Sequence, residues 1–76
     1  MYKKSAELGN AEAQAYLGAM FENGHGVTLD PIMAYVWYAR AQSAGNEVGR
    51  TALFALEPRL LPSQLKEAKR RLAANK

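Results

Sequence analysis

His25 is the side chain with the most obvious potential for chemistry, because it is the only histidine and lies between two glycines, Gly24 and Gly26. A metal site or an acid–base pair needs further ligands or a proton-transfer partner nearby, and the neighbouring sequence supplies none. The glycine pair also lacks the further glycine and the lysine of phosphate-binding loops. Because the chain contains no cysteine, thiolate chemistry is excluded. We predict that His25 is an exposed residue in a tight turn. We predict no catalytic residue, metal site or cofactor in this chain.

Basic residues near the C-terminal end could bind an anionic partner. The formal charge of the chain is +3, but the residues from Pro62 onward carry +4 and the remainder carries −1. The cluster that produces this imbalance consists of Lys66, Lys69, Arg70 and Arg71. It predicts, as an alternative function, binding of nucleic acid or an anionic surface, which would weaken steeply as salt rises. The segment has no aromatic residue for stacking on bases. We therefore favour the interpretation that these basic residues form the solvated face of a helix.

Helix start and stop signals recur along the chain and define the elements that position these residues. Asp30-Pro31 is a strong start signal, because a capping carboxylate precedes a proline at the first helical position. A glycine just past a helix end can adopt the left-handed conformation and so end the helix. In Gly9-Asn10 and Gly45-Asn46, such a glycine is followed by an asparagine that can cap the next helix. Together with the apolar periodicity, these signals predict about five helices, over residues 1–8, 11–23, 31–44, 47–57 and 61 to about 74.

Residues inside these helices predict how the helices pack. Gly18 lies mid-helix, where glycine costs roughly 1 kcal/mol relative to alanine, so we expect a close approach of a neighbouring helix. We interpret Trp37 as the packing anchor of the hairpin, with an exposed binding anchor as the alternative. The helix over 31–44 is expected to present one apolar stripe, consisting of Ala34, Trp37, Tyr38, Ala41 and Ala44, widened by Met33 and Val36. The last helix is expected to present Leu61, Leu65, Ala68 and Leu72.

The chain resembles itself at an offset of 36 residues, the distance between Gly9 and Gly45. Tyr2 and Asn10 recur at this offset as Tyr38 and Asn46. After Glu57 the correspondence fails.

The second copy differs from the first at two packing positions. Gly49 stands where the first copy has Ala13, and Phe54 stands where it has Gly18. We interpret this copy as degraded, with different packing at Phe54. The predicted organisation is one domain over 1–76, made of the end of a truncated repeat (1–9), a complete repeat (10–45), a degraded repeat helix (46–57) and a capping helix (61–75).

The central pattern resembles that of a known family. It reads Leu17-Gly18-x-x-Phe21-x-x-Gly24-x-Gly26-Val27-x-x-Asp30-x-x-x-Ala34-x-x-Trp37-Tyr38-x-x-Ala41-x-x-x-Gly45-Asn46 and is similar to the Sel-one-like repeat, a relative of the tetratricopeptide repeat (TPR). The resemblance implies an all-α fold, in which antiparallel helical hairpins stack as a short α/α solenoid with a C-terminal capping helix. It implies a non-catalytic adaptor that binds a protein or peptide. Leu61 departs from the pattern, since a serine or threonine usually caps the closing helix.

The resemblance also implies which surface binds the partner. In this repeat class the first helix of each hairpin lines the concave surface of the solenoid. The residues of the helix over 11–23 that point away from Leu17 and Phe21 are therefore the candidates for partner binding: Glu12, Tyr16, Ala19 and Asn23. Such an adaptor is expected to bind with weak salt dependence.

Self-association is a further expectation. Because the chain opens midway through a helix, the apolar face of residues 11–23 is expected to be incompletely covered, and exposed faces of this kind are usually covered by a partner. We predict a homodimer through the N-terminal end or incorporation into a longer solenoid. No apolar run approaches the roughly 20 residues of a membrane span, and no apolar signal segment opens the chain, which favours a cytoplasmic location.

Overall fold

The computed structural model describes residues 10–74, which form four α-helices and one short 3₁₀ turn, without a strand. The all-α, hairpin-based fold expected from the sequence is confirmed. The helix predicted over residues 1–8 lies outside the described residues. The elements are α1 (Ala11–Asn23), α2 (Pro31–Ser43), α3 (Glu47–Leu56), the 3₁₀ turn (Glu57–Arg59) and α4 (Pro62–Ala74).

Side-chain caps start the first three helices, as the sequence predicts. In each case a side-chain oxygen accepts backbone N–H groups that have no partner within the helix. The bonds run from Ala13 N to Asn10 Oδ1 (2.9 Å), from Ile32 N and Met33 N to Asp30 Oδ1 (3.1 and 3.2 Å), and from Gly49 N to Asn46 Oδ1 (2.8 Å).

The start of α4 shows how the missing serine or threonine is replaced. The Leu61 N–H donates to Gln64 Oε1 at 2.9 Å, which is the return half of a capping box. The predicted apolar face of α4 is wrong at Leu61, which lies before the first residue of the helix and whose side chain is exposed. Ala68 is buried, and Leu65 and Leu72 pack against the core.

The central helix is α2, which packs against α1, α3 and α4. The single apolar stripe predicted for this helix is therefore narrower than the surface that α2 buries. Tyr35 and Ala39 are also buried, because a helix with neighbours on three sides has little room for a polar face. Ala44 is exposed and does not belong to the stripe, since it follows the last turn of α2.

The hairpin of α1 and α2 is packed around Trp37. This side chain is only 6 % exposed and lies in one cluster with Ala13 and Leu17 of α1, while the Arg40 guanidinium carbon lies 5.0 Å from the centroid of its ring. Trp37 is therefore the packing anchor and not an exposed binding residue. The expected exposure of the α1 face is wrong for Ala13 and Leu17, because α2 covers both.

Two helical glycines allow close contacts with α2. A Cβ atom at Gly18 would lie 2.7 Å from the Tyr38 ring, so the expected close approach is confirmed. A Cβ atom at Gly49 would lie 2.5 Å from the Ala41 Cβ and 3.1 Å from the Tyr38 carbonyl oxygen. Gly49 is thus the point where α3 approaches the α2 backbone. Phe54, at the position equivalent to Gly18, is 83 % exposed.

Two tyrosines of α2 link the helices through carboxylates. The Tyr38 hydroxyl donates to Glu22 Oε1 at 2.6 Å, and Arg59 Nη1 donates to Glu22 Oε2 at 3.2 Å. The Tyr35 hydroxyl donates to Glu57 Oε2 at 3.2 Å. Burial, followed by the hydrogen bond to a carboxylate, raises the pKa of both tyrosines, which therefore stay protonated as donors. These bonds connect α1, α2 and the 3₁₀ turn.

Candidate protein-binding groove

A groove with a volume of about 400 Å³ lies between α1 and the start of α3. We call it the α1–α3 groove. Its lining combines small, apolar and polar side chains: Glu12, Ala15, Tyr16 and Ala19 from α1, with Asn46 and Val48 from the start of α3. Because Ala15 and Ala19 have small side chains, they leave space between the two helices.

The α1 wall follows from helical spacing. Glu12, Tyr16 and Ala19 are four and three residues apart, which places them on one face of the helix. Leu17 is buried against Trp37 on the other side of the same helix. The packing that holds α1 on α2 therefore leaves Tyr16 on the outside, where its side chain is 53 % exposed.

The α3 wall is supplied by the second copy of the repeat. Asn46 is held in place by its capping bond to Gly49 N. Val48, which is 67 % exposed, also lines an adjoining depression of about 340 Å³, together with Glu47, Thr51 and Ala52. Sequence reasoning missed this wall, although the repeat offset could have indicated it, because α3 stands in the second copy where α1 stands in the first.

The four predicted partner-binding residues do not all lie in the groove. Glu12, Tyr16 and Ala19 line it, whereas Asn23 lies one turn further along α1 and donates its Nδ2 to the Ala19 carbonyl oxygen at 3.0 Å. His25 is an exposed residue of the turn that follows α1, as expected, and it does not line the groove.

The alternative anion-binding residues are partly paired with a carboxylate. Arg70 donates to Glu67 through Nε (3.0 Å) and Nη2 (2.8 Å), and Arg71 donates to the same carboxylate through Nε (2.9 Å). Lys66 and Lys69 are exposed on α4. Since Glu67 binds two of the four cations, the cluster presents less unpaired positive charge than its sequence suggests.

The Glu67 carboxylate is expected to titrate at unusually low pH. Hydrogen bonds from Arg70 and then Arg71 lower its pKa from 4.5 to about 2. The stabilisation that these ion pairs contribute to the fold is therefore fully present above pH 4.5 and is lost as the pH falls through about 2. A carbon-detected NMR titration should place the Glu67 midpoint near 2, and Arg70→Ala should raise it. A midpoint near 4.5 in the unmodified chain would contradict the pairing.

None of the helices within residues 10–74 is long and apolar enough to cross a membrane. In the same residues, no group of three or more histidine, aspartate or glutamate side chains is arranged to hold a metal ion.

Comparison with known families agrees with the helical architecture. A family profile of the Sel1 repeat matches residues 1–10 and 11–46, which together make up more than half of the chain. No solved structure shows a significant match. Sel1 repeats are helical, solenoid-type repeats that are typically non-catalytic and generally act as protein–protein interaction modules. The chain belongs to the Sel1 repeat family.

Proposed function

We propose that this chain is a protein-interaction module and that its α1–α3 groove binds a segment of a partner protein. The observation that carries the proposal is the position of Tyr16 and Val48. Both side chains are more than half exposed, and they contribute to opposite walls of one concave surface. Exposed apolar side chains in a concavity are a common feature of binding sites for proteins and ligands.

Polar groups in the groove suit the backbone of a bound segment. The Asn46 side chain uses Oδ1 for the cap of α3, which leaves its Nδ2 group to donate, and within residues 10–74 it has no acceptor. A carbonyl oxygen of a bound segment fits this donor. Tyr16 combines a large apolar ring with a hydroxyl, a property that makes tyrosine frequent at interfaces.

Tyr16→Ala is expected to weaken binding about tenfold, since truncation of a central aromatic residue commonly costs more than 1 kcal/mol of binding energy. Binders would first be selected from a phage-displayed library of random dodecapeptides on the immobilised chain. Fluorescence anisotropy with labelled copies of the selected peptides then measures the affinity. Because the Tyr16 side chain is largely outside the core, circular dichroism should show an unchanged helical fold.

Phe54→Ala is the matched control for Tyr16→Ala. Phe54 is an exposed aromatic residue of α3 that does not line the groove, so its replacement should leave the affinity unchanged. If Phe54→Ala weakens binding and Tyr16→Ala does not, the partner binds at another surface.

Self-association remains a separate prediction, either as a homodimer or within a longer solenoid. The burial of Ala13 and Leu17 removes one reason for expecting it. Light scattering at micromolar concentration measures the mass directly, and a stable monomer would contradict the dimer.

A further inference from the structure

We propose that the α1–α3 groove selects a partner segment in which an apolar side chain is flanked by lysine or arginine. This inference rests on the proposed function, because it names the chemistry of the segment that the groove takes. It is carried by the charges around the groove and by the apolar character of the groove itself.

The charged residues that line the groove, among those that the structure describes, are all of one sign. Among the described residues that line the groove and the adjoining depression, the charged ones are Glu12 on α1 and Glu47 on α3. They belong to the two opposite walls, and among residues 10–74 neither lining includes a lysine or arginine. The groove therefore carries negative charge, whereas the positive charge of the chain is concentrated from Pro62 onward.

The two carboxylates are available to a basic ligand. Glu12 is exposed, and within residues 10–74 no basic side chain pairs with it. Glu47 forms an ion pair with Arg50 at 3.2 Å, but these side chains are 81 % and 60 % exposed. Such exposed pairs contribute little energy, so a lysine or arginine of a partner can replace Arg50. Complementary charge favours a basic segment, and like charge disfavours an acidic one.

Between the carboxylates, the lining is suited to an apolar side chain. Ala15, Ala19 and Val48 present methyl groups, and Tyr16 presents its ring. A side chain such as leucine or methionine would bury its surface there, while flanking basic residues reach the carboxylates at the rim.

Helix stability offers another reason for the two glutamates. Both lie in the first turn of their helices, where a negative charge interacts favourably with the helix dipole. That role predicts a small loss of stability when either charge is removed. It does not predict that affinity depends on the charge of the ligand, so a charge-reversal experiment separates the two roles.

The test uses the dodecapeptides selected by phage display and their charge-reversed copies, in which each lysine and arginine is replaced by glutamate. We expect selected sequences to combine an apolar residue with neighbouring lysine or arginine. Glu12→Gln should weaken their binding about two- to fivefold, as expected for one exposed ion pair, and Glu12→Lys should weaken it roughly tenfold. The charge-reversed peptides should bind Glu12→Lys more tightly than they bind the unmodified chain. Thr28→Lys, which adds a positive charge at an exposed loop position outside both linings, should change neither affinity.

Each other outcome overturns a specific part of the argument. If the selected peptides are acidic or uncharged and still lose affinity with Tyr16→Ala, the charge selection is wrong and the groove remains the binding site. If neither Tyr16→Ala nor Glu12→Lys affects binding, the groove proposal fails as well. If light scattering shows a dimer that Glu12→Lys dissociates, the occupant is the basic segment of a second copy, which overturns the assignment to a separate protein.

Discussion

Trp37→Ala is expected to lower the free energy of unfolding by about 3–5 kcal/mol, the usual cost of truncating a large buried aromatic residue to alanine. Trp37 is the only tryptophan, and it joins α2 to Ala13 and Leu17 of α1. Its loss leaves a cavity at the centre of the hairpin. Because small domains have total stabilities of only about 0.05–0.15 kcal/mol per residue, this change should leave a large fraction of the chain unfolded at room temperature. Urea denaturation followed by circular dichroism measures the effect.

Phe54→Ala is the control for this prediction as well. Its side chain is 83 % exposed, so its removal should change the free energy of unfolding by less than about 0.5 kcal/mol. Trp37→Ala with a stability equal to that of Phe54→Ala would contradict the assignment of Trp37 to the core.

Gly49→Ala is expected to destabilise the fold by about 1–2 kcal/mol. The added Cβ would meet the Cβ of Ala41 and the backbone of Tyr38 and Gln42. None of these atoms can move by a change of rotamer, so α3 must shift away from α2, and such overpacking costs about 1–3 kcal/mol or somewhat more. The better helix propensity of alanine offsets about 1 kcal/mol of this cost. Thermal and urea denaturation measure the net change.

The same substitution should also affect binding, because α3 carries Asn46 and Val48 at the groove. Thr51→Ala is the control on the same helix: Thr51 is exposed, and alanine has the better helix propensity, so its stability should be unchanged or slightly higher. A Gly49→Ala variant more stable than the original chain would show that α3 can move outward freely.

Gly18→Ala should cost less stability than Gly49→Ala, because the added Cβ meets a tyrosine ring and not a backbone.

Local chemistry made the helices and their limits predictable. The caps at Asn10, Asp30 and Asn46 depend on a side chain and backbone N–H groups two or three residues further on, so they can be identified without knowledge of the fold. The turn at Gly24 is also a local feature, because it depends on this one residue. Its φ of 71° is strained for a residue with a Cβ. The cap of α4 was not predicted, because Gln64 acts from inside the helix, whereas a capping serine or threonine would precede it.

Long-range packing was predictable only in part. The roles of Gly18 and Trp37 were predicted correctly, since a glycine inside a helix and a lone tryptophan in an alanine-rich hairpin each suggest a contact. The contact at Gly49 was not predicted, because the repeat offset indicates only that Gly49 replaces Ala13. Tyr35 and Ala39 were also missed, because the number of neighbours around α2 cannot be obtained from its own sequence.

The sequence by itself determined the repeat, the helices, the caps of the first three helices and the α1 face that carries Glu12, Tyr16 and Ala19. Caps and helix faces are predictable because each depends on residues close together along the chain. Only the tertiary structure decided which surface becomes a groove. That surface needs a second wall, and Asn46 and Val48 provide it because Gly49 lets α3 pack closely on α2. The distance between two helices depends on atoms far apart in sequence, and no pattern within one helix specifies it.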